Sequence, residues 1–245
     1  MCMFSYVCPT YGKYDYARIA VASFLAHTPD AVVVVVDDGH PNFYKFWDDH
    51  RVVVAHAFKE QRGLTRSWNF GLQASRKIGA KYTICGNDDV VFTPGWWRGP
   101  TALLENDIIG LVGPLTNAPG LNSTEQNIWD HVENYTASDK PEAMAKAAEM
   151  LTNRYKVGDC MPTRIVNGFL MVSRTARWWE GRYDVEHVFN PNPRFALIQN
   201  EDEIQARFRA RGWRSAVSLT SFVFHYRSVT RGDKHKHGMW FRRSD

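Results

Sequence analysis

Apolar positions in the first hundred residues fall into two alternating registers, short continuous runs and helical stripes. Met3–Cys8 reads as a strand closed by Pro9-Thr10-Tyr11-Gly12. Ala31–Val36 is apolar at every position, the pattern of a parallel strand covered on both faces. Between them Arg18–Ala26 repeats Ile19, Val21, Ala22 and Leu25 as an amphipathic helix, ended by Thr28-Pro29-Asp30. Phe43–His50 predicts a further helix and Val52–Ala55 a short third strand. From Gly63, Leu64, Trp68, Leu72 and Ser75 recur at helical spacing as far as Gly79, placed where helices end in the left-handed conformation. Tyr82–Cys85 is then a strand stopped at Gly86. This β-α-β-α-β-α-β order predicts an α/β fold with a doubly wound, mostly parallel twisted sheet flanked by helices.

The second half is less regular. Leu103–Asn106 completes a helix, Ile108–Val112 is a strand closed by Gly113-Pro114, and Asn117–Ser123 is a loop. Pro141–Tyr155 is a helix with Ala143, Met144, Ala147, Ala148 and Leu151 inward. Ile165–Val172 predicts a strand, Asn190–Arg194 an irregular loop, Asn200–Arg211 a helix and Ala216–Phe224 a strand before a basic tail. With no repeat and no low-complexity linker, residues 1–245 read as one domain with a smaller irregular lobe.

Composition adds limits. A 44% hydrophobic and 23% charged chain is an ordinary globular protein, and +4 net charge suits an anionic small molecule without any nucleic-acid-binding signature. The aromatic content, with nine Trp, ten Tyr and fourteen Phe, adds a surface for stacking sugar rings to a filled core. Cys2, Cys8, Cys85 and Cys160 lack metal-ligand spacing, and Cys8 and Cys85 read as buried thiols. No run is long enough to span a bilayer and the chain enters a strand without a signal segment, so a cytoplasmic location is expected. The sequons at Asn122 and Asn134 are then incidental.

Candidate chemistry gathers at strand ends. In an open α/β sheet, ligands bind beyond the carboxyl ends of the strands. Asp37-Asp38 and Asp88-Asp89 both fall there, and adjacent carboxylates suit a hard divalent cation shared with a phosphate. Asn200 with Glu203 forms a variant capping box, which accounts for Glu203 but leaves Asp202 in the first turn as an ionised candidate base. His225, at the end of the last strand, can complete a metal site begun by Asp89. Arg227, Arg231, Lys234 and Lys236 beyond it can clamp a diphosphate or form a solvated tail. In the tandem pairs Trp96-Trp97 and Trp178-Trp179, one member of each is a candidate for a sugar-binding wall.

As an ordered set, these residues resemble a GT-A fold glycosyltransferase, most like the inverting family 2, over nearly the whole chain. Val7-Cys8-Pro9-Thr10-Tyr11 is similar to the nucleotide-contacting end of the first strand, and Val36-Asp37-Asp38-Gly39 to the second-strand motif. Gly63–Gly79 matches the Gly-x-x-x-x-x-Asn-x-Gly helix, and Asn87-Asp88-Asp89 stands at the Asp-x-Asp position. Asn167-Gly168-Phe169 resembles the acceptor-side Gly motif, Gly181–Asp184 the turn before the catalytic acid, and Glu201-Asp202 with Arg207 and Gly212 the Glu-Asp motif. His225 with Ser228-Val229-Thr230 is similar to the C-terminal segment of rhamnosyltransferase-like members. Two departures stand out: Asn87 replaces the first Asp, and Trp68 rather than Arg precedes Asn69, with Arg66 two residues before Trp68.

The resemblance implies a division into a nucleotide-sugar half (1–114), an acceptor and catalytic half (115–226) and a basic tail (227–245). It implies Asp202 as base, Asp89 and His225 as ligands of Mn2+ or Mg2+, and Pro9, Thr10, Tyr11, Asp37, Asp38, Arg66, Asn69 and Asp88 around a UDP-, dTDP- or GDP-sugar. Trp96, Trp97, Gly168 and Glu201 then border a carbohydrate-type acceptor, and the basic tail makes at most weak contact with a membrane surface. The competing expectations are a sugar-nucleotide pyrophosphorylase, for which Pro9–Lys13 is a poor triphosphate loop, and an inactive nucleotide-sugar-binding module.

Overall fold

The computed structural model describes residues 2–39, 47–119 and 124–227. Its first half carries the predicted elements apart from the helix expected between the second and third strands: β1 (Phe4–Thr10), α1 (Tyr14–His27), β2 (Ala31–Asp37), β3 (Val52–Ala57), α2 (Leu64–Ile78) and β4 (Tyr82–Gly86). Then come β5 (Val90–Phe92), α3 (Arg98–Leu104), β6 (Ile109–Leu115), α4 (Pro141–Arg154), β7 (Cys160–Thr163), β8 (Leu170–Arg174), α5 (Thr175–Glu180), α6 (Asn200–Ala210) and β9 (Arg214–His225). One sheet carries them in the order β3-β2-β1-β4-β8-β6-β9-β5, with β7 also paired to β9.

The strands β3, β2, β1 and β4 are all parallel, as a βαβ series requires. Antiparallel pairing enters where the sequence pattern loosens: β8 runs against β4 and β6, and β9 against β5 and β7, while β6 and β9 are parallel. Successive side chains of a strand point to opposite faces, and β1 shows it directly. Phe4, Tyr6 and Cys8 join the apolar cluster under α1 and α3, and Val7 joins the cluster under α2, α5 and α6. A third cluster packs α4 against the far end of β9.

Several expectations change. The Ile165–Val172 strand begins only at Leu170, because residues 166–169 leave the ladder and take side-chain partners instead. Gly113-Pro114 lies inside β6 rather than closing it. The short strands β5 and β7 and the helix α5 carry too few residues for a readable period. The Phe43–His50 helix falls mostly outside the described residues, and Trp47–Asp49 within them is not helical. Ser228–Asp245 also lies outside them, so Arg231, Lys234, Lys236 and the tail have no structural account. No helix among the described residues is long and apolar enough to cross a membrane.

The helix α2 is the element that fixes the ligand side of the sheet. It ends at Gly79, whose φ of 76° and N–H to the Arg76 carbonyl make the left-handed cap. Mid-helix Gly71 serves packing: a Cβ there would stand 2.1 Å from Val7 Cγ1 on β1. Gly71→Ala therefore lowers stability by about 1–3 kcal/mol despite alanine's better helix propensity. In urea denaturation, adding Val7→Ala should restore part of that loss, giving a double variant more stable than the sum of single changes.

Candidate functional site

A cavity of about 560 Å³ opens beyond the carboxyl ends of β1, β2 and β4. Its walls are Pro9 and Thr10 at the end of β1 and Tyr11 just after it, Asp38 after β2, Leu64, Ser67 and Trp68 on α2, and Asn87, Asp88 and Asp89 after β4. The second half contributes Asn167, Gly168 and Phe169, then Asn200 and Glu201 on α6, and His225 and Arg227.

Asp89 and His225 meet through strand pairing. β5 runs antiparallel to β9 with Val90 opposite His225, and the Tyr226 N–H donates to the Asp89 carbonyl at 2.9 Å. This brings His225 Nε2 to 3.2 Å from Asp89 Oδ1, with both side chains buried. The imidazole is fixed from three directions. Asn117 bridges the His225 backbone at both ends (N–H to Oδ1 at 2.8 Å, Nδ2 to carbonyl at 3.1 Å), and the Phe169 ring stacks on it at 5.0 Å. His225 Nδ1 lies 3.2 Å from the Ala118 carbonyl. A carbonyl only accepts, so Nδ1 carries the proton, and in the neutral ring Nε2 turns a lone pair toward Asp89. Burial, and secondarily the Asp89 carboxylate, push the neighbouring Asp88 carboxyl up to about 7.

On the opposite wall, Glu201 stands in the first turn of α6. A Cβ on Gly168 would be 3.4 Å from the Glu201 carboxyl carbon and 3.3 Å from the Trp68 ring, so only glycine leaves that space open. Asp202, the expected base, does not border the cavity: side chains one residue apart on a helix point roughly 100° apart. The expected capping box is also absent. Gln199, at φ 61°, precedes the helix; Asn200 Nδ2 reaches Thr65 Oγ1 on α2 at 2.9 Å; and Glu203 pairs with Arg207 at 2.8 Å.

The sequence was compared with known proteins. Residues 5–166 match the family Glycosyl transferase family 2. The chain belongs to that family. No curated protein sequence matches it. Among solved structures it resembles GalNAc-T7 with UDP, GalNAc and Mn2+ (15% identity, TM-score 0.64, covering 92% of this chain and 44% of that one). It also resembles the mannosyltransferase PcManGT from Pyrobaculum calidifontis in complex with GDP-Man and Mn2+ (12% identity, TM-score 0.59, 91% and 56%). At these identities the likeness establishes the GT-A fold, and the chain spans about half the length of either neighbour.

Several residues expected around the ligands of this family 2 domain have structural tasks. Asp37 is fully buried, and its carboxylate accepts from Gly39 N–H at 2.9 Å and the Tyr14 hydroxyl at 3.2 Å. Asp38 alone of that pair borders the cavity, and it also accepts the Gly63 N–H at 2.8 Å, anchoring the start of α2. Arg66 lies outside the wall, 3.3 Å from Asp38 and stacked 3.3 Å over the Phe58 ring. Asn69 turns away from the cavity and grips Phe189 by both backbone groups, at 2.7 and 3.0 Å.

The tandem tryptophans are core. Trp96 is buried, donates to Thr28 Oγ1 at 2.9 Å and packs on Phe92 and Phe24; Trp97 packs on Phe4. Trp178 donates to the Thr83 carbonyl at 3.0 Å, and Trp179 is covered by Arg76. The tryptophan that does reach the cavity is Trp68. Its position one turn after Leu64 on the apolar face of α2 was the available signal, and helical spacing alone reads it as core. Asn69→Ala leaves the Phe189 backbone groups unpaired and should destabilise the family 2 domain by about 1–3 kcal/mol. Binding of nucleoside diphosphate, followed by calorimetry, should be unchanged, whereas a ligand-contacting Asn69 would lose affinity.

Proposed function

We propose that this domain is a metal-dependent inverting glycosyltransferase. It moves a sugar from a UDP-, dTDP- or GDP-linked donor to a hydroxyl of a glycan or other carbohydrate-type acceptor. The observation that supports this most is the buried Asp89–His225 contact of 3.2 Å inside the cavity, facing the wall that carries Glu201.

The donor set fits a divalent cation, Mn2+ or Mg2+. Two ligand atoms each about 2.1 Å from one octahedral ion stand about 3 Å apart when adjacent. Asp89 Oδ1 and His225 Nε2 already have that separation, with the imidazole in the ligating tautomer. Among the described residues no group of three or more His, Cys, Asp or Glu converges on a metal. Asp89 and His225 would hold such an ion on the protein side, and oxygens of the donor and of water would complete its shell. When bound, it stabilises the charge developing on the departing diphosphate by several kcal/mol.

The chain's own residues supply the rest. Pro9, Thr10, Tyr11 and Asp38 hold the nucleoside, and Asp88 the ribose side. Gly168 leaves room for the acceptor beside Trp68. Glu201, in the role first expected of Asp202, takes the proton from the acceptor hydroxyl. That oxygen forms a bond to the anomeric carbon on the face opposite the diphosphate. The bond from carbon to the phosphate oxygen breaks, and the configuration inverts.

Two measurements test this reading. One of UDP, dTDP or GDP at about 100 times its Kd should raise Tm by roughly 5–10 °C with Mn2+ and not without it. Asp89→Ala and His225→Ala should abolish that shift; no shift with any nucleotide in the unaltered protein would remove the donor site. For the base, release of nucleoside diphosphate is followed with a panel of sugars and glycans, and with water as acceptor. Glu201→Gln should lower kcat about 10²–10⁴-fold and Asp202→Asn less than about tenfold. The reverse ranking would return the base to Asp202.

A further inference from the structure

Val166–Phe169 leads from the core into the cavity wall, which Asn167, Gly168 and Phe169 line, and it starts without a strand partner. Two fully buried glutamines fill that role. Gln205 on α6 accepts the Val166 N–H at 2.8 Å and donates back to the Val166 carbonyl at 2.8 Å. Its amide nitrogen also reaches the Glu201 carbonyl at 3.0 Å, and Ser215 Oγ lies 3.0 Å from its Oε1. Gln126 accepts the Asn167 N–H at 2.7 Å and donates to the Pro114 carbonyl on β6 at 2.9 Å. Between them the two carboxamides satisfy the Val166 N–H and C=O and the Asn167 N–H, backbone groups that a neighbouring strand would otherwise pair.

We propose that Gln205 and Gln126 are positioning residues that lock the Val166–Phe169 strap, and with it the distance between Glu201 and the Asp88–Asp89 end of the site. The inference rests on the glycosyltransferase reading. The linkage can be followed bond by bond. Gln205 binds the first turn of α6 and Val166 at once, so it sets Glu201 against Gly168. The strap then continues through the Phe169 carbonyl, which accepts the Asn87 N–H at 2.9 Å, one residue before Asp88. The Phe169 ring stacks on His225. A glutamine suits this place because its amide donates and accepts from one rigid plane, as a peptide does. Replacing it by an apolar side chain leaves buried N–H and C=O groups of the strap unpaired.

Positioning of this kind separates kcat from donor binding, since the nucleoside wall (Pro9–Tyr11, Asp38) lies on other elements. Gln205→Leu removes the four bonds of the Gln205 carboxamide and leaves those of Gln126. Gln205→Glu keeps the acceptor for Val166 N–H and loses the donor, so it serves where the leucine variant does not fold. Both should lower kcat for nucleotide-sugar turnover, the leucine form about tenfold to a hundredfold and the glutamate form less. The Kd for nucleoside diphosphate with Mn2+ should stay within about twofold of the unaltered protein. Hydrogen–deuterium exchange gives an assay independent of activity: amides 166–170 should exchange at least about tenfold faster in Gln205→Leu, and those of β1 and β4 at unchanged rates. Unchanged exchange of 166–170, or an equal loss of kcat and of nucleotide affinity, would overturn the positioning role. If the unaltered protein turns over no nucleotide-sugar while the strap still loosens as described, it is the glycosyltransferase reading that falls and the clamp that stands.

Discussion

Burying Asp88 and Asp89 side by side is unfavourable in itself, and the organisation of the site follows from it. Two adjacent carboxylates removed from water repel each other and lose hydration, and one of them responds by holding its proton to unusually high pH. The second sits against an imidazole held by Asn117, Ala118 and Phe169. A cation held there, as the proposed reaction requires, would offset both penalties at once. The acidic pair and His225 are therefore one electrostatic unit, although 136 positions separate Asp89 from His225 in the sequence (225 − 89).

That unit depends on topology rather than on local sequence. Two antiparallel pairings in succession, β4 with β8 and β8 with β6, followed by the parallel pairing of β6 with β9, leave β9 running in the same direction as β4. Its carboxyl end therefore comes out on the side of the loop after β4, and β5, doubling back antiparallel along β9, holds that loop against His225. The side-chain supports come from the irregular second half: Asn117 after β6, the Val166–Phe169 strap, and α6 anchored by Asn200 to Thr65. Loss of periodicity after Trp97 is thus where the site is assembled, since groups that serve a cavity cannot also serve a ladder.

The parallel half was legible because its constraints are local. A run such as Ala31–Val36 has one good solution, a strand covered on both faces, and Gly79 has one role at the end of a helix. Of the acidic and hydroxyl residues at these strand ends, Thr10, Asp38, Asp88 and Asp89 line the cavity and Asp37 does not. Illegible were the positions where a side chain takes a backbone's place. Nothing in the spacing of Gln126, Gln205, Asn69 or Asn117 marks them as partners of distant peptide groups, and a strand drawn through Ile165–Phe169 is the natural error. Tryptophans misled in the opposite sense. Trp96 and Trp97 looked like sugar-stacking surface because they are tandem, yet the short helix they precede packs both against the face of the sheet under α1 and α3.

The three acidic pairs show how backbone geometry sorts like residues into unlike tasks. Asp37 ends a strand and Asp38 begins the turn after it, so Asp37 is drawn into the turn's own hydrogen bonds and Asp38 faces both α2 and the cavity. Asp88 and Asp89 lie in a loop between two strands, where no regular alternation applies, and both reach the wall. Glu201 and Asp202 lie on a helix, where successive side chains diverge and one alone reaches it. Sequence motifs treat each pair as a unit. The element that carries the pair decides whether one member or both can touch a ligand, which is why the proposed reaction assigns the proton to Glu201 and not to Asp202.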